Sequence, residues 1–382
     1  MKILIITPTF YPQIGGGENY ILNLARELGN KKKYDVSVVT SAKTLKGIRR
    51  IDNITVYYTP YKEIFGTEVI SPFHVYNIIR RLKPDIIHGH GPSVSQDIGF
   101  FLSRLFGIPM VMTYHADLDP NKVISRIYMK LSTKVILKNI DKVIVTSKDV
   151  YFAKLLKRGI PREKLLTIPV GVEYNKFINM HNNSLLKEKF NIREKKIILF
   201  VGGLDRTHLY KRLDLLINSM VLVKSKIPNV HLIIVGRGEL VPEYKHMVEL
   251  LNIQNDVSFH TDVTDNELPY YYSAADLFVL PSPTTGEGFG IVLLEAMSTG
   301  TPVITSDGCA GAFAVENGQA GLLYRAFDVN DLSVKITKIL TDDELASKLG
   351  ENGKRYAKNY EWKQIAQQIE SVYKQILSKR IR

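Results

Sequence analysis

The sequence predicts an α/β protein built of two doubly wound parallel-sheet domains. Short β-branched runs alternate with longer helical patterns along almost the whole chain, and the alternation starts afresh after a polar stretch in mid-chain. At 382 residues the chain is long for one core and fits two.

In the first half the strand-like runs are ILII (3–6), VSVV (36–39), ITVYY (54–58), DIIH (85–88), VMT (111–113) and VIVT (143–146). Helical patterns separate most of them. Across residues 18–28, Ile21, Leu24, Ala25 and Leu28 recur at the spacing of one helix face, so a buried stripe is expected there. After LLTIPVGVEYNKF the composition turns polar through HNNSLLKEKFNIREK, which reads as a linker. The second half repeats the scheme with KIILFVGG near Lys196, HLIIVG (231–236), VSFH (257–260), LFVLP (277–281) and PVITS (302–306). Residues 1–169 and 170–359 are the expected domains. The amphipathic segment 360–382 is long enough to cross back onto the first.

Composition bounds the functional classes. An apolar fraction of 45% and a charged fraction of 23% are those of an ordinary globular protein. No apolar run approaches the roughly 18 residues needed to span a bilayer, and MKILIITP is too short for a signal peptide. A cytoplasmic location is expected, with peripheral contact at the inner membrane face left open by the charge. Cys309 is the single cysteine, so neither an internal disulfide nor a zinc site is expected. The net charge of +13 favours acidic partners: nucleic acid, an anionic lipid surface or phosphorylated substrates. Cations cluster in residues 31–33, in 43–50 and in NKVISRIYMKLSTKVILK from Asn121. A nucleic-acid-binding module would explain the charge, but no reader motif accompanies it.

In open α/β sheets ligands gather beyond the carboxyl ends of the strands. The residues found there are Gly15-Gly16-Gly17, His88, His90 and Tyr114-His115-Ala116-Asp117 in the first half. In the second they are Gly202-Gly203-Leu204-Asp205, Gly236-Arg237-Gly238, His260 and the loop from Pro281 to Gly290. The strongest local signal is Glu287-Gly288-Phe289-Gly290-Ile291-Val292-Leu293-Leu294-Glu295. Its glycines permit close backbone approach, and a helix starting near Gly290 leaves its first N–H groups free for a diphosphate. Glu295 lies in an apolar helical turn, IVLLEAM, where an unpaired carboxylate costs several kcal/mol. It therefore needs a partner: a cation, backbone donors or the hydroxyls of a ribose. Lys211, after the loop LDRTHLY, can stabilise the charge on a leaving diphosphate, worth ~4 kcal/mol at 4 Å and an effective dielectric near 20.

The run PSPTTGEGFGIVLLEAMSTGTPVITSD resembles the E-x7-E region of the retaining glycosyltransferases of family 4 (glycosyl transferases group 1). That family has the GT-B fold of two facing Rossmann-like domains. The resemblance extends over nearly the whole chain through the GGGE loop, HGHG, TYHAD, IPVGV and IVGRG. It implies that Glu287 holds sugar hydroxyls, Glu295 the nucleotide ribose, and the amides of Phe289, Gly290 and Ile291 the sugar and diphosphate, beside Gly288. Gly16, Gly17 and Gly236 fall in the corresponding glycine loops. His115 matches the family histidine near the reacting face of the donor sugar. His115, Lys211 and Glu287 are thus the implied catalytic residues. The family carries an arginine where this chain has Gly203, with Arg206 a few residues on as its candidate substitute. SDGCAGAFAVENGQAGLLY departs from the family pattern as well, leaving donor identity open.

No metal or other cofactor is implied; Asp117-Leu118-Asp119 mimics a metal-binding D-x-D, but the E-x7-E class does not depend on one. His88 and His90 read as structural. The implied reaction moves a sugar from a nucleotide-diphosphate donor, bound by the second domain, to a hydroxyl of a glycan or polyprenyl-phosphate-linked acceptor bound by the first. The alternative is a sugar-nucleotide epimerase or a phosphorylase of the same fold.

Overall fold

Residues Lys2–Ile6 form strand β1, in which Ile3, Leu4, Ile5 and Ile6 are all buried, as befits a strand covered on both faces of a parallel sheet. The computed structural model describes residues 1–13, 15–60, 62–64, 67–115, 117–118, 123–147, 151–178, 188, 194–284, 290–309 and 311–381. They divide into two units, Met1–Gly171 with Trp362–Arg382, and Val172–Glu361.

The first unit contains β1, β2 (Asp35–Ser41), β3 (Gly47–Ile51), β4 (Ile54–Thr59), β5 (Lys62–Ile64), β6 (Thr67–Val69), β7 (Ile86–Gly91), β8 (Met110–Tyr114), β9 (Lys142–Val145) and β10 (Leu165–Thr167). Eight of them make a sheet in the order β10-β9-β8-β7-β1-β2-β4-β3. All neighbours run parallel except β3, which pairs antiparallel with β4. Strands β5 and β6 form a separate antiparallel pair. The Gly16–Gly29 helix follows β1 and buries Tyr20, Ile21, Leu24, Ala25 and Leu28, the stripe its spacing predicts.

The Trp362–Ile381 helix belongs to this unit. Its Glu370, nearly buried, receives Lys31 at 2.6 Å, Lys33 at 3.0 Å and Lys374 at 2.6 Å. Burial alone would raise the Glu370 pKa; the hydrogen bonds led by Lys31 and Lys374 override it and hold the carboxyl well below the usual range. Trp362 packs edge-on against Tyr20, ring centroids 5.0 Å apart.

The second unit is a sheet of β11 (Lys196–Val201), β12 (Val230–Val235), β13 (Val257–His260), β14 (Leu277–Leu280), β15 (Val303–Ser306) and β16 (Gly321–Tyr324). Its order is β13-β12-β11-β14-β15-β16, all parallel. The Leu213–Lys226 helix buries Leu213, Leu216, Ile217, Met220 and Val223 in the core on one face of this sheet. Both sheets are doubly wound Rossmann-like layers of the GT-B fold. In each, strand order reverses beside the first strand, at β1/β7 and at β11/β14, where ligand crevices form.

Every strand expected from the sequence is present; β3, β10, β16 and the β5–β6 pair are additional. The cation cluster 43–50 overlaps β3, an exposed edge strand whose charge protects it from further pairing. No helix among the described residues is long and apolar enough to cross a membrane.

Candidate donor site

At the β11/β14 switch point the chain brings several of the expected residues to one edge of the second unit. The loops after β11 and β12 lie backbone on backbone: Leu204 N–H donates to Arg237 O at 2.9 Å, and Leu240 N–H to Leu204 O at 2.9 Å. A Cβ on Gly236 would sit 1.9 Å from the Gly202 carbonyl oxygen, so only glycine permits this approach. Gly236 thus shapes the loop that carries Gly202 and Gly203.

Residues Arg206–Lys211 form a 3₁₀ turn. Lys211 is buried, its stem lying over Gly202, where an added Cβ would come 2.8 Å from Lys211 Cδ; its Nζ stands 5.4 Å from the Tyr210 ring centre. Arg206 is exposed, and its backbone N–H donates to Glu239 Oε1 at 3.0 Å. The space above Gly203 is taken by His208, whose Nδ1 lies 2.5 Å from where a Cβ would stand. Asp205 holds that imidazole at 2.8 Å and also accepts from Thr207 N–H at 2.9 Å. His208 is not among the residues expected from the sequence, although the D-x-x-H spacing is a signal for it.

The Ile291–Thr299 helix begins at Gly290, whose φ of +79° is a left-handed conformation suited to glycine. Leu293 N–H turns back to Gly290 O at 2.8 Å, and the Ile291 and Val292 amides lie in the first turn, where a helix supplies no acceptor of its own. One turn further, Glu295 is partly buried between the buried Leu294 and Ala296, and its Oε2 accepts from the Tyr272 hydroxyl at 2.7 Å. Tyr272 is the protein partner that the apolar setting of Glu295 demands. Burial pushes the Glu295 carboxyl up to about 7, against the lowering effects of the Tyr272 hydrogen bond and the Lys176 charge. Its second oxygen has no hydrogen-bond partner among the described residues. Glu287, Gly288 and Phe289 lie outside the described residues.

In the first unit, Gly16 and Gly17 open the Gly16–Gly29 helix, and a Cβ on either would meet nothing within 4 Å. Protein packing therefore does not demand glycine there. His115 follows β8 and joins a column of imidazoles: His88 and His90 stack at 4.5 Å, His90 and His115 at 5.2 Å. His88 bonds the Tyr373 hydroxyl at 2.5 Å and Thr113 Oγ1 at 2.8 Å. His90 Nδ1 meets His115 Nε2 at 2.9 Å, while the buried His90 Nε2 has no partner among the described residues. An unpaired buried N–H is costlier than an unpaired lone pair, which favours donation by His90 Nδ1 and leaves the His115 proton on Nδ1.

Burial lowers His115 to about 4 and His88 to about 3, so the column is neutral near pH 7. Asp117 stands apart from it, tied to Arg158 by two bonds of 2.9 Å and to Lys154. No three His, Cys, Asp or Glu side chains converge on a metal-binding geometry among the described residues.

The family model "Glycosyltransferase Family 4" matches residues 14–176, and "Glycosyl transferases group 1" matches residues 182–356. An uncharacterized glycosyltransferase of Methanocaldococcus jannaschii is 26% identical over 98% of this chain and 99% of its own. The alpha-monoglucosyldiacylglycerol synthase of Streptococcus pneumoniae is 26% identical over 89% of this chain and 78% of its own. Among solved structures, Anabaena HepE in complex with UDP and glucose superposes with a TM-score of 0.81 at 21% identity, covering 98% of this chain and all of that one. With the two family models in succession on a pair of Rossmann-like sheets, the chain belongs to the group 1 glycosyltransferases and is a sugar-transferring enzyme.

Proposed function

We propose that the enzyme transfers a hexose, with retention of anomeric configuration and without a metal, from a nucleotide-diphosphate sugar to a hydroxyl of a glycan or lipid-linked acceptor. The observation that carries this reading is Glu295: a carboxylate with one oxygen unpartnered among the described residues, one turn inside a helix whose first amides have no intrahelical acceptor. That arrangement suits a nucleotide, with ribose hydroxyls on the carboxylate and diphosphate oxygens at the helix start. Glu287 and the amides of Phe289, Gly290 and Ile291 then take the sugar and diphosphate, while Lys211 and Arg206 neutralise the leaving group. Gly16 and Gly17 leave open space for the diphosphate or acceptor. His115 meets the donor sugar as a neutral imidazole.

Retention fits a front-face departure in which the diphosphate takes the acceptor's proton, since among the described residues no side chain stands as a nucleophile with its base. UDP and glucose bound to HepE favour a uridine donor, and the diacylglycerol acceptor in the S. pneumoniae enzyme's name favours a lipid-borne acceptor at an anionic membrane surface. The test is a thermal-shift panel of UDP-, GDP- and ADP-sugars on the wild type and Glu295→Ala. One donor should stabilise the wild type and not the variant; equal stabilisation of both rejects the site.

A further inference from the structure

The Val123–Ser132 helix and the wide turn Thr133–Leu137 present two stripes with opposite chemistry. Arg126, Lys130, Lys134 and Lys138 recur every four residues, so they form one row, and with Arg158 and Thr133 they line a cavity of about 420 Å³. None of those four cations has an acidic partner among the described residues, and the Asp117 that shares the wall is engaged by Arg158 and Lys154. Thr133 is only 7% exposed, and its buried Oγ1 has no hydrogen-bond partner among the described residues. A buried hydroxyl left unmatched beside a row of unpaired cations calls for an acceptor-rich anion. Next to this row, Ile124, Ile127, Leu131 and Val135 form an apolar ridge, each at least 44% exposed. Water alone does not explain apolar side chains repeated on one face of a helix whose adjacent face is cationic.

We propose that this cavity binds the phosphate of an anionic phospholipid, Thr133 donating to a phosphate oxygen and the cation row neutralising it, while the Ile124–Val135 ridge lies in the bilayer interface. This deepens the membrane-surface part of the proposed function and is independent of the donor site. It makes the helix a headgroup reader rather than a general electrostatic pad. The bilayer is favoured over a soluble phosphate compound because the ridge and the cavity share one helix face boundary, so one surface can satisfy both.

Flotation with vesicles of phosphatidylcholine alone, and with one-third phosphatidylglycerol, tests it on the full chain. Wild type should float only with the anionic vesicles. Lys130→Gln with Lys134→Gln should weaken binding about 25-fold, at about fivefold per lysine near the surface. Thr133→Val keeps charge and shape and should weaken binding by about tenfold or more, the effect of one lost hydrogen bond to a charged group. Equal recovery with both vesicle types overturns the proposal. So does loss in the lysine pair with full binding by Thr133→Val, which leaves a plain charged patch. Tight binding of glycerol 3-phosphate with no flotation assigns the cavity to a soluble ligand and overturns the membrane assignment. Thermal shifts with UDP-sugar on the same variants should match wild type; their failure in every protein strikes the donor site and not this cavity.

Discussion

Replacing Glu295 by glutamine makes the donor-site reading quantitative. With the carboxyl pKa near 7, about a tenth of the free protein is ionised at pH 6 and about nine-tenths at pH 8. Ribose hydroxyls are donors, so they select the ionised form, and apparent affinity falls in proportion to the competent fraction. The dissociation constant for UDP should therefore be about tenfold higher at pH 6 than at pH 8, with ~0.9 proton released on binding at pH 6. Glutamine removes the titration and the charge-assisted bonds, costing about 1.5–3 kcal/mol at pH 8, or roughly 10- to 150-fold.

Isothermal titration in buffers of different ionisation enthalpy measures affinity and protons together. The terminal phosphate of UDP titrates near pH 6 as well, so the deciding quantity is the pH ratio of wild type divided by that of Glu295→Gln. A quotient of one would exclude Glu295 as the titrating group, since the slope would then belong to the ligand.

Three further substitutions test the framework and the glycine positions. Glu370→Gln should lower stability by about 2 kcal/mol, discounted from a fully buried pair because Lys33 and Lys374 are largely exposed, and lower the melting temperature by about 4–8 °C. Because the folded pKa of Glu370 is depressed, its contribution is whole above the unfolded value of about 4.3 and disappears as pH falls through the folded one. The wild-type–variant gap in thermal melts should be flat from pH 5 to 8 and narrow below 4; a gap that widens in acid contradicts the ion cluster. Gly290→Ala forces a side chain into a φ of +79° with Leu293 Cδ1 3.0 Å and Leu280 Cδ2 3.1 Å away, and should cost about 1–2 kcal/mol of stability together with donor affinity. Gly16→Ala meets no protein atom and should leave melting unchanged while weakening donor or acceptor binding; an inert variant would remove Gly16 from the site.

The parallel strands are legible because runs such as ILII and VIVT are buried on both faces, so their apolar pattern is unbroken. Strand β3 is not, because GIRRI is held by pairing across the Asp52-Asn53 turn and buries almost nothing. The need of Glu295 for a partner follows from its apolar neighbours alone. That Tyr272 supplies the partner does not, since 23 residues separate them and only the folded sheet brings the two together. His208 has a signal in its D-x-x-H spacing, but its place over Gly203 depends on a 3₁₀ turn that has no periodic signature. The column of His88, His90 and His115 joins two neighbouring strands, whose adjacency only sheet order reveals.

The chain leaves the first unit at Gly171 and re-enters it at Trp362, after about 190 residues of the second. During synthesis at ~5–20 residues per second, the faces around Tyr20, His88 and Lys31 therefore wait about 10–40 s for the helix that covers them. The second unit has no such wait: its two ends are already joined, Val172 N–H donating to Tyr360 O at 2.8 Å. The second unit is thus a contiguous insertion that can ripen on the ribosome, whereas the first is completed by a helix made after it. In vectorial synthesis this enzyme matures from the inside of its sequence outward.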